Sequence, residues 1–191
     1  MGAAWREIGT LARRFGRSAK GTAAVEFALI VPIMLVVYIG TMEASSLISM
    51  DRKVQLVAGA VGDLVARTDK TLPSSLLGDY FLAAGGIMTP YPADGVVQVV
   101  TAVNVADDGT TSVAWSKQFE HGDYASASPY GEGDDYSLPA PILAVSKGKM
   151  VIAAEASYSY KPLYGLFFDR AIGLHRADYF LPRFEGTIAL N

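Results

Sequence analysis

Cysteine is missing from all 191 residues. That absence removes disulfides, zinc–thiolate sites, iron–sulfur clusters and thiol catalysis. It does not assign a compartment, because an exported domain with an adequate core can stand without bridges. Histidine is almost as scarce. His121 and His175 lie far apart and neither has a His or Cys partner at metal-ligand spacing. Both read as surface or loop residues, and no metal site is expected. GxSxG, HExxH, P-loop and GxGxxG patterns do not occur. No catalytic residue, cofactor or enzymatic activity is therefore expected, although chemistry by carboxylates alone stays open. The acidic group Glu132, Asp134 and Asp135 lacks the ligand spacing of a twelve-residue calcium loop and reads as a solvated loop. Outside a short basic head there is no basic stripe, so nucleic acid is not an expected partner.

The chain does hold a marked segregation of charge and hydropathy. Residues 1–20 carry five basic side chains against one acid, and the rest carries eleven against eighteen. Between head and body, Thr22–Met42 (TAAVEFALIVPIMLVVYIGTM) holds a single charge, Glu26. As a helix this run rises about 31 Å, the thickness of a bilayer core. Residues 1–21 are thus expected to be a basic leader and 22–42 a transmembrane helix, with the N-terminus cytoplasmic and the body on the far side. An ordinary secretory signal would have a shorter apolar region and a small-residue cleavage pattern. Trp5, Ile8, Leu11 and Phe15 fall at helical spacing, so the leader is either disordered or a weak helix on the inner membrane surface.

Residues 43–191 are expected to form one α+β domain, an antiparallel sheet packed on the outer half of a long N-terminal helix. Apolar residues from Leu47 to Val65 recur near a 3.6-residue period, which carries the membrane helix onward over 43–68 as an amphipathic one. Gly59 and Gly62 should weaken this rod, and Pro32 should kink it within the membrane. Glu43 and Asp51 mark polar ground beyond the span. A short helix is expected over 73–84, with strands over 96–105, 111–119 and 149–160. The Asp107-Asp108-Gly109 sequence signals a hairpin between the first two. Residues 120–141 read as a long loop, Leu163–Ile172 as an aromatic turn or short helix, and 179–190 as one or two short strands.

The sharpest pattern is RRFGRSAK-Gly21-TAAV-Glu26-Phe27-ALIV-Pro32: a basic leader, a Gly at the membrane edge, small residues, an acid five positions on, an aromatic and an apolar run. It resembles a type IV prepilin cleavage site and, more narrowly, the TadE/TadF-like pseudopilins of tight-adherence pilus systems. The resemblance is specific over residues 13–40 and general over 41–68. It implies cleavage between Gly21 and Thr22 by a prepilin peptidase, with Glu26 as the signature acid. It also implies a minor pilin or pseudopilin that acts structurally, priming or capping a pilus. The partners would be other pilins and the assembly platform of the bacterial inner membrane, with the sheet domain periplasmic or carried into an extracellular pilus. A weaker likeness lies in Tyr158, Tyr160 and Pro162, which read more simply as outward aromatics before a turn. The rival expectation is an unprocessed, signal-anchored periplasmic protein that binds a ligand or partner.

Overall fold

Helix α1, Ala19–Ala66, is one continuous element of 48 residues that contains Pro32, a length of about 72 Å. It belongs to a computed structural model that describes residues 19–162, 165, 170–184 and 186–191. The basic leader over 1–18, and most of the aromatic turn expected over 163–172, lie outside the described residues. Along the outer half of α1, Met50, Val54, Val57, Val61 and Val65 recur every three or four positions and are fully buried, as one stripe of a 3.6-residue helix must be. The helix stops at Ala66, whose carbonyl accepts the Arg183 N–H at 2.8 Å, so one of its orphan terminal acceptors is satisfied by the body.

Five strands make the main sheet: β2 (Val96–Val105), β3 (Thr111–Glu120), β4 (Asp123–Tyr124), β5 (Met150–Tyr160) and β6 (Ile172–Phe180), in the order β4-β3-β2-β5-β6 and all antiparallel. β2 and β3 are joined by a turn in which Gly109 takes φ +93°, a conformation that a Cβ disfavours. Asp108 holds that turn by accepting the backbone N–H and the hydroxyl of Thr110. Even-numbered residues of β5 and β6 face α1 and odd-numbered ones face away. Thus Ile152, Ala154, Ala156, Leu174 and Phe180 join the main core with α1, while Ala153 and Tyr179 join a second cluster with Val103, Val113 and Tyr136.

Helix α2 (Ser74–Gly85) closes the other flank of the core. Its Phe81 stacks on Phe119 with ring centres 5.1 Å apart, and Tyr124 packs edge-on to both. A separate parallel pair, β1 (Thr71–Leu72) with β7 (Ala189–Leu190), ties the last residues beside α2. There Asn191 O accepts both the N–H and the hydroxyl of Ser74.

The structure revises the expected later elements. In place of short strands over 179–190, β6 runs Ile172–Phe180, Leu181 and Pro182 lie outside it, and β7 keeps two residues in the separate parallel pair. The region 120–141 is not wholly loop, since it contains β4 and the start of helix α3 (Ala140–Ser146). Gly62 is a packing device rather than a weak point. A Cβ there would lie 2.5 Å from the Phe180 ring and 2.9 Å from Ala154 Cβ, so only glycine lets helix and sheet come this close.

Candidate functional site: an apolar helix carrying one acid

The two halves of α1 meet different surroundings. From Thr22 to Met42 the side chains have almost nothing over them: Phe27 is 67 % and Leu29 68 % exposed. This stretch has a mean hydropathy of 2.3 over its most apolar window, and none of that window is buried. A bare apolar cylinder of this length must be covered by lipid or by other helices. Glu26 is exposed on that cylinder, with Phe27 beside it. Thr22 lies four residues earlier, on the same helical face and about 6 Å away along the axis. The Gly21–Thr22 bond falls in the first turn of α1. Pro32 is exposed inside the same unbroken helix.

At the end of the apolar stretch the sheet domain takes hold. Glu43 is only 3 % exposed, so it is not the open polar ground that its position suggested. Asp51 is engaged too, bound to Arg176 of β6 at 2.6 Å. Tyr160 sits over this junction. Burial pushes its phenol above the ordinary range, partly offset by a hydrogen bond with Ser46, and Glu43 adds a smaller upward push. The reading of Tyr158 and Tyr160 as outward aromatics is overturned. Tyr160 is 6 % exposed, Tyr158 packs on the core, and Pro162 is buried. Their even positions on β5 turn them toward α1.

Farther out, Asp63 joins Arg67, just past the end of its helix, to Arg183 of the body at 2.5 Å each. The Arg67 hydrogen bond holds its carboxyl below the usual range; desolvation opposes this, and the Arg183 hydrogen bond and both positive charges add to the lowering. Asp178 of β6 faces α1 across from Gly59, and burial pushes its carboxyl up.

A second polar group, on the outer sheet face, escaped the sequence reading. Glu155, in the middle of β5, is 8 % exposed and accepts the Tyr136 hydroxyl at 2.8 Å. His175 Nε2 lies 3.5 Å from its other oxygen, and His175 Nδ1 is 3.0 Å from Ser157 Oγ. Tyr130 and Tyr179 surround the group. Burial raises all three phenols, and the Glu155 hydrogen bond and charge drive Tyr136 farthest. The network pins the 130–136 segment onto the sheet, aided by Gly133 N–H donating to Val113 O and Val113 N–H to Asp134 O. A lone acid in the run MVIAAEASYSY is the signal that could have disclosed it, since a buried carboxylate requires partners. His121 sits in the β3–β4 turn and is exposed. Among the described residues no group of three or more His, Cys, Asp or Glu is arranged to hold a metal ion.

A long exposed apolar helix whose outer half supports an antiparallel sheet is the architecture of a pilin-like membrane-anchored protein. In a comparison with family models, residues 21–62 match the family described as TadE-like protein, consistent with a TadE/TadF-like pilin of tight-adherence pili. The matched segment begins at Gly21 and ends at Gly62, the residue of closest approach to Phe180. No curated protein and no solved structure matches the chain.

Proposed function

We propose that this protein is a minor pilin or pseudopilin of a tight-adherence pilus, cut between Gly21 and Thr22 by a prepilin peptidase and acting structurally in priming or capping the filament. One observation carries the reading: a fully exposed apolar helix whose single acid, Glu26, lies one turn from Thr22. A charged residue at mid-bilayer costs roughly 2.5–3.5 kcal/mol even on lenient insertion scales. Position near the interface lowers that cost, and a counter-charge lowers it further. The span contains no basic side chain. Cleavage supplies one, the free ammonium of Thr22. Glu26 then pairs with that amine in its own chain or in a neighbour, and the second pairing sets the axial register between packed helices, with Phe27 adjoining the contact. The basic leader keeps the N-terminus cytoplasmic and the sheet domain periplasmic. The partners are the peptidase, sibling pilins and the inner-membrane assembly platform.

The mass of the chain recovered from its native membrane tests processing: a start at Thr22 is expected, and an intact Met1 or Gly2 instead supports the unprocessed anchor. Glu26→Val should leave membrane insertion unchanged and reduce assembled pili; a normal piliation count in that strain would refute the register role.

A further inference from the structure

We infer that the sheet domain carries a saccharide-binding cleft built on the rings of Trp115 and Tyr130. The inference concerns the folded domain and stands whether or not Gly21 is cut. The cleft has a volume of about 520 Å³, within the roughly 300–1,000 Å³ of small-molecule sites. Three segments form it. β3 brings Trp115 and Lys117, the strap beside β3 brings Tyr130 and Glu132, and the last residues bring Thr187 and β7. Asn104 and Met150, a ladder pair of β2 and β5, complete the lining. Met150 begins β5, whereas Tyr160, beside Ser46 and Glu43, ends it. The cleft therefore lies at the end of the sheet away from the apolar span.

Both rings are held in place. The half-buried Trp115 donates its indole N–H to Ile188 O at 2.7 Å. Its one polar atom is thus spent, and what it offers the cleft is carbon surface. Tyr130 packs edge-on to Tyr136 with ring centres 4.8 Å apart, and Tyr136 is anchored by Glu155. The strap is fastened along β3 by Ala125 N–H to Gln118 O, by the Ser116 and Ser128 hydroxyls, and by Gly133 N–H to Val113 O. Aromatic surface that is already ordered costs little entropy to use.

Around the rings stand side chains with no business inside the protein. Asn104, Lys117, Glu132 and Thr187 are exposed, and among the described residues none of these side chains makes a hydrogen bond or ion pair. Lys117 and Glu132 border one cleft without closing on each other. Their charges cancel, so the lining favours neither an anion nor a cation. The ammonium donates, the carboxylate accepts, and the amide and hydroxyl do both. A pyranose has the matching chemistry: hydroxyls that donate and accept together, and an apolar face of C–H bonds to lie on a ring. An extended peptide would instead need a free strand edge, and the strap already occupies that of β3 at Val113 and Gln118.

The test uses the full-length chain in phosphatidylcholine nanodiscs, free of sugar-based detergent. Trp5→Phe leaves Trp115 as the sole indole. The probes are the methyl glycosides of glucose, galactose, mannose and N-acetylglucosamine, with the tripeptide Ala-Ala-Ala for comparison. At least one glycoside should shift the Trp115 emission saturably and receive saturation transfer at its ring C–H protons. Glu132→Ala removes a charged acceptor and should weaken that binding at least about tenfold, and Asn104→Ala about fivefold. Asp123→Asn, in β4 at the other end of β3, should leave it unchanged. All three side chains are exposed, so the denaturant midpoint should stay where it is and binding losses report the cleft. Silence from every glycoside at millimolar concentration overturns the inference. So does a signal that survives both cleft substitutions, or binding of the tripeptide and none of the sugars.

Discussion

The inner and outer halves of α1 both carry large apolar side chains, and those side chains meet opposite fates. Phe27, Leu29 and Ile33 lie bare, whereas Met50, Val54 and Val57 are sealed beneath the sheet. The difference lies in arrangement. Residues 22–42 are apolar all round, as suits a helix covered on every side. From Leu47 onward, polar residues such as Arg52 and Gln55 occupy one flank and confine the apolar side chains to a stripe. One continuous helix thus serves two solvents, and its sequence period records which is which.

The largest break in that comparison should come from placing a charge in each half. Val57→Asp buries an unpaired carboxylate, which costs several kcal/mol, and should abolish the cooperative unfolding transition of the domain. Val36→Asp should leave that transition within about 0.5 kcal/mol of wild type while reducing membrane insertion. Calorimetry and carbonate extraction of the two variants separate the effects. Next in size is Gly62→Val. It forces atoms into the space held by Phe180 and Ala154 and should destabilise by about 1–3 kcal/mol, read from the denaturant midpoint.

On the opposite sheet face, Tyr136→Phe removes the hydroxyl that serves Glu155. A loss of about 1–3 kcal/mol is expected, with faster hydrogen exchange in residues 130–136. Adding Glu155→Gln to that background should restore part of it. The smallest effect concerns Asp178. Its folded pKa is raised, so the native state binds more protons than the unfolded one between the two pKa values, and stability falls as pH rises through that window. Asp178→Asn should therefore raise the melting temperature slightly at neutral pH, and the gain should vanish below the unfolded carboxylate range. Asp63 has the opposite sign. Its depressed pKa gives a contribution present above the unfolded value and lost as pH falls through the folded one.

Much of this arrangement is legible from residue order because the signals are local. The β-branched run of β2, the Pro162 stop after β5, the Asp-Asp-Gly hairpin and the uniform apolar span each need no knowledge of distant partners. β6 escaped because Arg176 and Asp178 occupy its helix-facing side and break the period-two pattern. Their acceptance depends on Asp51 and on the small Gly59 across the interface, residues more than a hundred positions away. The same holds for Tyr160, whose orientation follows from β5 parity, and for Gly62, which taken alone counts only as a poor helix former. For Glu26 and Gly21, the sequence spacing already carries the whole argument, and the fold adds a bare, continuous helix around them.

The unbroken passage of α1 from apolar span to sheet core has a mechanical consequence. No linker absorbs rotation between the part in the bilayer and the part outside it, so the two move as a single lever. Tilting a 48-residue rod by about 20°, an ordinary angle for a spanning helix, swings one end about 25 Å sideways relative to the other. A push on the sheet domain is thus delivered directly to the acid-bearing end in the membrane, and a sideways step of that end reorients the whole outer body.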